Sequence, residues 1–191
     1  PSPMTFAAME ALERRAMFDS VGIDGVHVGY ETDLGRALPL MRDLGITRVR
    51  IWNEVQDWTQ LVENGSFNQA RQLKALGFHV TMLIQNKLPP TYEQARAYYE
   101  FIAAAPGMRD AVDRWEILNE VNYFKYWQGT AEQYVGDVLR PAWDVLKPLG
   151  EEIVGASCTD DLRWVNLLKD AGYLNYVDFA NTHPYTETVQ Q

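Results

Sequence analysis

Several polar residues that could take part in catalysis follow one short apolar segment near the middle of the chain. Residues 115–118 read as a buried strand, and the next four positions include Asn119, Glu120 and Asn122. A carboxylate at the end of a buried strand is costly unless another group pairs with it or a reaction uses it. We therefore expect Glu120 to lie at the rim of a pocket, either as a catalytic acid or base or as a structural ion-pair partner of Arg50.

The segments around this strand repeat one pattern, in which an amphipathic helix ends at a glycine and a β-branched or aromatic run follows. Four such helices end at Gly45, Gly77, Gly150 and Gly172. Glycine takes the left-handed conformation that ends helices at little cost, and serial helix–strand units predict a parallel sheet. The six predicted strands are centred near Val26, Val49, Val80, Ile117, Val154 and Phe179.

A parallel sheet can be a closed barrel or an open sheet. Gly22, Gly25 and Gly29 lack the G-x-G-x-x-G spacing of the phosphate loop that often follows the first strand of an open sheet. Polar and aromatic residues instead follow the predicted strands, which is where barrels carry their function. We predict an α/β fold, a TIM (β/α)8 barrel in a single domain over residues 1–191. A lead-in helix over about residues 5–19 precedes it, and the barrel is truncated after the sixth of eight strands.

Composition excludes several classes of partner. The formal net charge is −9 and the acidic residues are spread along the chain, which argues against nucleic acid. No apolar run is long enough to span a bilayer. Cys158 is the single cysteine, so no internal disulfide is expected. His27, His79 and His183 lie in separate units without metal-ligand spacing, so we expect no metal and no cofactor.

The order of motifs resembles that of a known group of enzymes. Residues 115–120, Trp-Glu-Ile-Leu-Asn-Glu, resemble the fourth-strand signature of the clan A retaining glycoside hydrolases, (β/α)8 enzymes that include families 5 and 39. Residues 49–51 are similar to the second-strand arginine stretch of that clan, and residues 182–185 to its sixth-strand H-x-Y stretch. Residues 122–134 resemble the segment that follows the acid/base in family 39-like members.

The resemblance implies a role for each matching residue. Glu120 would be the general acid/base, and Asn119 would bind the 2-hydroxyl of the substrate. Arg50 would support the catalytic carboxylates, and His183 and Tyr185 would line the pocket. His27 could be packed or could face the pocket, and aromatic rings at strand ends would suit the apolar faces of sugars. The candidate substrate-binding residues are His27, Trp52, Asn86, Asn122, Tyr123 and Trp127, of which Trp127 is preferred among the aromatics.

One half of the expected catalytic pair has no candidate in the sequence. Retaining hydrolysis needs two carboxyl groups about 5 Å apart, and in the clan the nucleophile is a glutamate that ends the seventh strand. Glu187 follows the sixth strand too closely for that role, Val121 replaces a common proline, and Asn53-Glu54 is interpreted as a loop. We therefore expect an N-terminal fragment, inactive alone, of a glycosidase that acts on a poly- or oligosaccharide.

Two other functions remain open. A non-catalytic carbohydrate-binding barrel would keep the aromatics and amides without a carboxylate pair. A barrel with lyase or isomerase chemistry would need a metal or phosphate site that the sequence does not contain. The resemblance favours a secreted or periplasmic protein, although no signal peptide is recognisable, and nothing in the sequence points to a protein partner.

Overall fold

A five-stranded parallel sheet forms the centre of the structure. The computed structural model describes residues 33–159 and 161–183 together with the backbone of Val26–Val28. The strands lie side by side in chain order, and each is parallel to the next. Their bounds are β1 (Val26–Val28), β2 (Arg48–Glu54), β3 (His79–Gln85), β4 (Arg114–Ile117) and β5 (Glu152–Gly155).

Helices connect the successive strands. The predicted glycine ends are confirmed, because Gly45, Gly77, Gly150 and Gly172 all have positive φ. Within the described ranges, no helix is long and apolar enough to cross a membrane. The helices are α1 (Leu34–Asp43), α2 (Gly65–Ala75), α3 (Tyr92–Ala104), α4 (Ala131–Gln133), a π-helical segment (Tyr134–Leu139), α5 (Arg140–Leu146) and α6 (Leu162–Asp170), with 3-10 turns at Arg109–Ala111, Lys147–Leu149 and Tyr173–Asn175.

The order of the strands distinguishes a barrel from an open sheet. In an open, doubly wound sheet the strand order reverses at a switch point, whereas here β1 to β5 follow one another without reversal. The predicted α/β fold class is confirmed, and the sheet corresponds to part of a TIM barrel. The predicted lead-in helix lies outside the described residues, and a single domain over the whole chain stays a prediction.

The predicted sixth strand forms only two isolated parallel bridges to the preceding segment. The bridges join Val154 to Phe179 and Cys158 to Thr182. They are four residues apart on the first segment and three apart on the second, so one extra residue interrupts the ladder, as in a β-bulge. The described residues therefore contain five regular strands rather than six, although the sixth segment follows the expected path.

The two faces of the sheet have different chemistry. Side chains alternate along a strand, and on β2 the buried Val49 and Ile51 alternate with the partly exposed Arg50 and Trp52. The face that carries Arg50 also carries Glu116 of β4, because the two side chains are hydrogen-bonded. The helices pack on the other face, whose core includes Val49, Ile51, Val80, Met82, Ile84, Trp115, Ile117 and Ile153.

Strand β2 is longer than the sequence predicted. It includes Asn53 and Glu54, so their interpretation as a loop is wrong. The fully buried Asn53 donates from Nδ2 to the hydroxyl of Tyr98 at 2.9 Å and accepts a hydrogen bond from Asn64. These partners explain how a polar residue remains within a strand on the helix side of the sheet.

The helix that was predicted from Thr130 to about Leu146 has an irregular middle. Thr130 is its N-cap, as predicted, and forms a capping box with Gln133. Around Pro141 the hydrogen bonding changes, and the N–H of Arg140 donates to the carbonyl of Val135, five residues earlier. Proline lacks an N–H and disturbs the preceding turn, and the π-helical segment accommodates that disturbance.

Candidate active site

Strand β4 ends in an unusual backbone conformation. Leu118 has a φ of 64° and Glu120 a φ of 33°, values that residues other than glycine rarely adopt. Such a conformation costs about 1–3 kcal/mol per residue and persists only where the surroundings hold it. Two hydrogen bonds hold it here. The N–H of Leu118 donates to the carbonyl of Ile84 at 3.0 Å, and the N–H of Glu120 donates to Ser157 Oγ at 3.1 Å.

The carboxylate of Glu120 is buried beside a histidine. Glu120 is 5% exposed, and its Oε1 lies 2.9 Å from Nδ1 of His183. Ser157 Oγ lies 3.2 Å from the same ring nitrogen, so Ser157 contacts both the backbone of Glu120 and its histidine partner. The sequence predicted Glu120 at the rim of a pocket, and its role there stays a prediction.

Arg50 forms its two-pronged ion pair with Glu116 rather than with Glu120. Nε of Arg50 donates to Oε2 of Glu116 at 2.6 Å, and Nη2 donates to Oε1 at 2.7 Å. Asn181 also donates to Oε1 of Glu116 at 3.1 Å, and Glu116 is 1% exposed. A buried carboxylate with these partners has the hydrogen bonds that its burial requires.

The same arginine orients Asn119. Nη2 of Arg50 donates to Oδ1 of Asn119 at 3.0 Å. Since this bond uses the amide oxygen, the side-chain NH2 group of Asn119 remains as the donor for another group. Glu116 therefore fixes Arg50, and Arg50 fixes the amide of Asn119.

Gln85 fixes the backbone of Asn119 from the neighbouring strand. Its Oε1 accepts a hydrogen bond from the N–H of Asn119 at 2.9 Å, and its Nε2 donates to the carbonyl of Tyr126 at 2.7 Å. Gln85 is buried at the end of β3. Gln85, Glu116 and Ser157 were not among the predicted site residues. Only their positions within or next to predicted strands could have identified them.

A tyrosine closes the sheet between β4 and β5. The hydroxyl of Tyr134 donates to the carbonyl of Ile117 at 2.8 Å and accepts from the N–H of Ala156 at 2.8 Å. Burial raises the pKa of Tyr134 well above its usual value, so this hydroxyl keeps its proton. The two loops that carry Glu120 and Ser157 begin directly after this bridge.

Three aromatic rings form a row from the end of β2 to the loop after β4. The ring centroids of Trp52 and Tyr126 are 5.7 Å apart, and those of Tyr126 and Tyr123 are also 5.7 Å apart. Tyr123 is 52% exposed. Trp127, the preferred aromatic candidate, is instead 2% exposed, and its indole N–H donates to the carbonyl of Thr130 at 3.1 Å. The structure thus leaves Tyr123 accessible and packs most of Trp127 into the core.

The two candidate asparagines are engaged in loop contacts. Oδ1 of Asn86 accepts from the N–H of Leu88 at 2.7 Å, and its Nδ2 donates to the carbonyl of Val55. Asn122 donates to Thr159 Oγ1 at 2.5 Å and accepts from the N–H of Thr159 at 3.0 Å. These bonds join the loop after β3 to the segment after β2, and the loop after β4 to the segment after β5. A substrate contact for either asparagine stays a prediction.

The structure brings four predicted residues into two directly bonded pairs. Asn119 is bonded to Arg50, and Glu120, the next residue, is bonded to His183. His27 is in register with Arg50 in the β1–β2 ladder, and only its backbone is described. Tyr185 lies outside the described residues. The arrangement places a buried carboxyl group, an imidazole and an oriented amide at the carboxyl edge of a parallel sheet, where barrels bind their ligands.

Comparison with known proteins shows a similarity in fold and none in sequence family. No family model and no curated protein matches the sequence. The chain has the α/β fold of a partial TIM barrel, and a solved structure with a similar fold is the GH53 catalytic domain of Ignisphaera aggregans. The two share 19% sequence identity with a TM-score of 0.55, over 90% of this chain and 57% of that one. The chain therefore spans just over half the length of that domain.

Proposed function

We propose that the chain is part of the catalytic domain of a glycoside hydrolase that cleaves O-glycosidic bonds with retention of configuration. The observation that carries the proposal is the buried Glu120 beside an oriented Asn119 at the end of β4. The name of the structural neighbour, a GH53 catalytic domain, adds support. The motifs favour a clan A enzyme similar to family 39 or family 5, secreted or periplasmic, with a poly- or oligosaccharide as substrate.

Glu120 acts as the general acid and then as the general base. In the first step its proton passes to the glycosidic oxygen while the bond from that oxygen to the anomeric carbon breaks and a second carboxylate bonds to the carbon. In the second step Glu120 takes a proton from water, whose oxygen displaces that carboxylate. The ring nitrogen of His183, 2.9 Å from Glu120, can donate to the carboxylate or accept from the acid. The NH2 group of Asn119 binds the 2-hydroxyl of the sugar.

The second carboxylate is not Glu116. Both oxygens of Glu116 accept hydrogen bonds from Arg50, and Asn181 donates to one of them. A carboxylate held in this way is a poor nucleophile because attack would give up a buried ion pair. We propose that the nucleophile is a glutamate at the end of a seventh strand, outside these 191 residues, and that the chain alone does not hydrolyse glycosides.

Substitution of Glu120 in the protein encoded by the complete gene tests the proposal. The Glu120→Gln variant should lose about 10²–10⁴-fold in kcat on oligosaccharides, whose leaving groups need a proton. It should lose far less on dinitrophenyl glycosides, whose leaving group needs no proton. Glu54→Gln is the matched control, because Glu54 also follows an asparagine at a strand end but is exposed.

Two outcomes would overturn the proposal. Equal losses on both substrates would remove the acid/base role from Glu120, and efficient hydrolysis by the purified 191-residue chain would remove the need for an external nucleophile. A complete protein that binds oligosaccharides without cleaving them would instead be a carbohydrate-binding barrel. Trapping with an activated fluoro-sugar, followed by peptide mass spectrometry, identifies the nucleophile directly.

A further inference from the structure

The side chain of Gln85 continues the pairing of β3 with β4 beyond the end of the two strands. The backbone ladder pairs Ile84 with Ile117, and the N–H of Leu118 donates to the carbonyl of Ile84 at 3.0 Å. At the next position, the N–H of Asn119 donates to a side chain instead, to Oε1 of Gln85 at 2.9 Å. A side-chain amide offers an acceptor and a donor as a peptide group does, so Gln85 takes the place of one more peptide group in the ladder.

The same amide holds the far end of the loop after β4, residues 119–126. Nε2 of Gln85 donates to the carbonyl of Tyr126 at 2.7 Å, so one side chain bonds the first and the last residue of this loop. Between them, the N–H of Tyr123 donates to the carbonyl of Glu120, and the N–H of Tyr126 donates to the carbonyl of Tyr123, both at 2.8 Å. The loop is therefore a series of tight turns that Gln85 closes at both ends.

These two bonds require an amide at position 85. One partner is an N–H group and the other is a carbonyl, so a carboxylate would lack the donor and an apolar side chain would lack both groups. Gln85 is 3% exposed, so water does not readily replace a missing partner. The support is itself fixed, because the backbone carbonyl of Gln85 accepts a hydrogen bond from the N–H of Val55 at 2.7 Å.

Asn119 is thus held from two directions. Nη2 of Arg50 donates to Oδ1 of Asn119 at 3.0 Å and sets the rotation of its side-chain amide. Gln85 binds the N–H of the same residue and sets the position of the backbone from which that side chain starts. A displacement of about 1 Å in a group that contacts the substrate can slow a reaction about 100-fold. Loss of the backbone support therefore has a consequence for any ligand of the Asn119 side chain.

We propose that Gln85 is a positioning residue for recognition of the 2-hydroxyl group of the sugar, and that it acts through the backbone of Asn119. The inference rests on the proposed function, in which the NH2 group of Asn119 binds that hydroxyl. Gln85 does not touch the substrate in this role, because the two ends of its amide are bonded to Asn119 and Tyr126. Its removal releases the loop after β4 and lowers the part of the rate that depends on the 2-hydroxyl.

Kinetics with and without the 2-hydroxyl group test the proposal in the protein encoded by the complete gene. The probes are p-nitrophenyl β-glycosides of glucose, galactose and xylose, each beside its 2-deoxy analogue, and the measured quantity is the ratio of kcat/KM within each pair. Gln85→Met should lower this ratio about tenfold, and Asn119→Ala should lower it further. In an Asn119→Ala background, Gln85→Met should have no further effect on the ratio. A merely structural role would lower both rates equally and leave the ratio unchanged.

Asn53→Leu is the matched control. Asn53 is also a buried strand amide with two side-chain partners, but these belong to α3 and to the N-cap of α2. Its substitution should lower stability and leave the ratio unchanged. Hydrogen exchange, followed by NMR in protein labelled with 15N-asparagine, reports the bond without any activity. The N–H of Asn119 should exchange about tenfold faster in Gln85→Met than in the unsubstituted protein, because its acceptor is removed.

The outcomes separate this inference from the proposed function. A ratio that Asn119→Ala lowers and Gln85→Met leaves unchanged would overturn the inference and leave the proposed function in place. No hydrolysis of any glycoside would contradict the proposed function, and the exchange rates would then decide alone whether Gln85 holds Asn119. If Gln85→Met does not fold, exchange in the unsubstituted protein decides. An N–H of Asn119 that exchanges as fast as in an unfolded peptide would overturn the inference.

Discussion

Arg50 and Glu116 reach towards each other across the intervening strand β3 and form two hydrogen bonds of 2.6 and 2.7 Å. The pair joins the second and fourth strands on the pocket face of the sheet. Through Nη2, the same arginine holds the amide of Asn119. The loop after β4 is therefore supported by an ion pair whose carboxylate lies four residues before Glu120.

Removing the charge of Glu116 should destabilise the chain strongly. Glu116→Gln removes the charge from an almost fully buried carboxylate that accepts two hydrogen bonds from Arg50, which costs about 3–5 kcal/mol. Urea unfolding of the purified chain measures the loss. Glu152→Gln is the control, because Glu152 also pairs with an arginine, Arg114, through a hydrogen bond of 2.8 Å, but its side chain is 44% exposed against 2% for Glu116. The control should lose no more than about 1 kcal/mol, and equal losses would contradict a special role for the buried pair.

The Tyr134 hydroxyl should contribute measurably to stability. Tyr134→Phe leaves the carbonyl of Ile117 and the N–H of Ala156 without this partner, at a cost of about 2 kcal/mol. Tyr99→Phe is the matched control, because the buried hydroxyl of Tyr99 has no hydrogen-bond partner among the described residues. The control should be neutral or slightly stabilising in thermal unfolding. A similar loss in both variants would show that only ring packing matters.

The backbone conformation of Glu120 predicts that glycine is more stable than alanine at this position, the reverse of the usual order within a strand. At a φ of 33°, Glu120→Gly should be more stable than Glu120→Ala by about 1 kcal/mol, because glycine adopts left-handed conformations without strain. Glu116, inside strand β4, should show the usual order, with Ala more stable than Gly. Chemical denaturation of the four variants compares them. An Ala variant as stable as the Gly variant at residue 120 would refute the strained conformation.

Cys158 should resist alkylation in the folded chain. Burial, with a smaller effect from Asp161, raises the pKa of the Cys158 thiol to about 11. At pH 8 only about one thiol in a thousand is then ionised, and the thiolate is the reactive form. Iodoacetamide should leave the folded chain unlabelled at pH 8 and label it fully in urea, as measured by intact mass. Rapid labelling without denaturant would contradict the buried thiol.

Short-range sequence signals predicted the helices and strands that carry the candidate site. Glycine at Gly45 and Gly77 and the apolar run before Asn119 were sufficient to place helix ends and β4, because these signals act within a few residues. The expectation that Glu120 lies at a pocket edge depended on the same strand end. The interrupted sixth strand was not predictable, because a one-residue bulge leaves no hydrophobic pattern of its own.

The contacts between residues that are distant in the chain could not be predicted from the sequence. Ser157 and Gln85 meet residues 119 and 120 only because of the register of neighbouring strands, and many serine or glutamine side chains could have filled such positions. Trp127 shows the other limit. An aromatic residue after a strand end can lie in the core or at the surface, and its packing depends on the close approach of Gly129.

The hydroxyl of Tyr134 connects the π-helical segment to the ends of β4 and β5. Its hydroxyl replaces a peptide group between β4 and β5, at the level where the two strands diverge into their loops. The hydroxyl therefore joins the two strand ends beside the direct hydrogen bonds from the N–H groups of Glu120 and Val121 to Ser157. The position of the π-helical segment is thus coupled through the Tyr134 hydroxyl to the starts of the loops that carry Glu120 and Ser157.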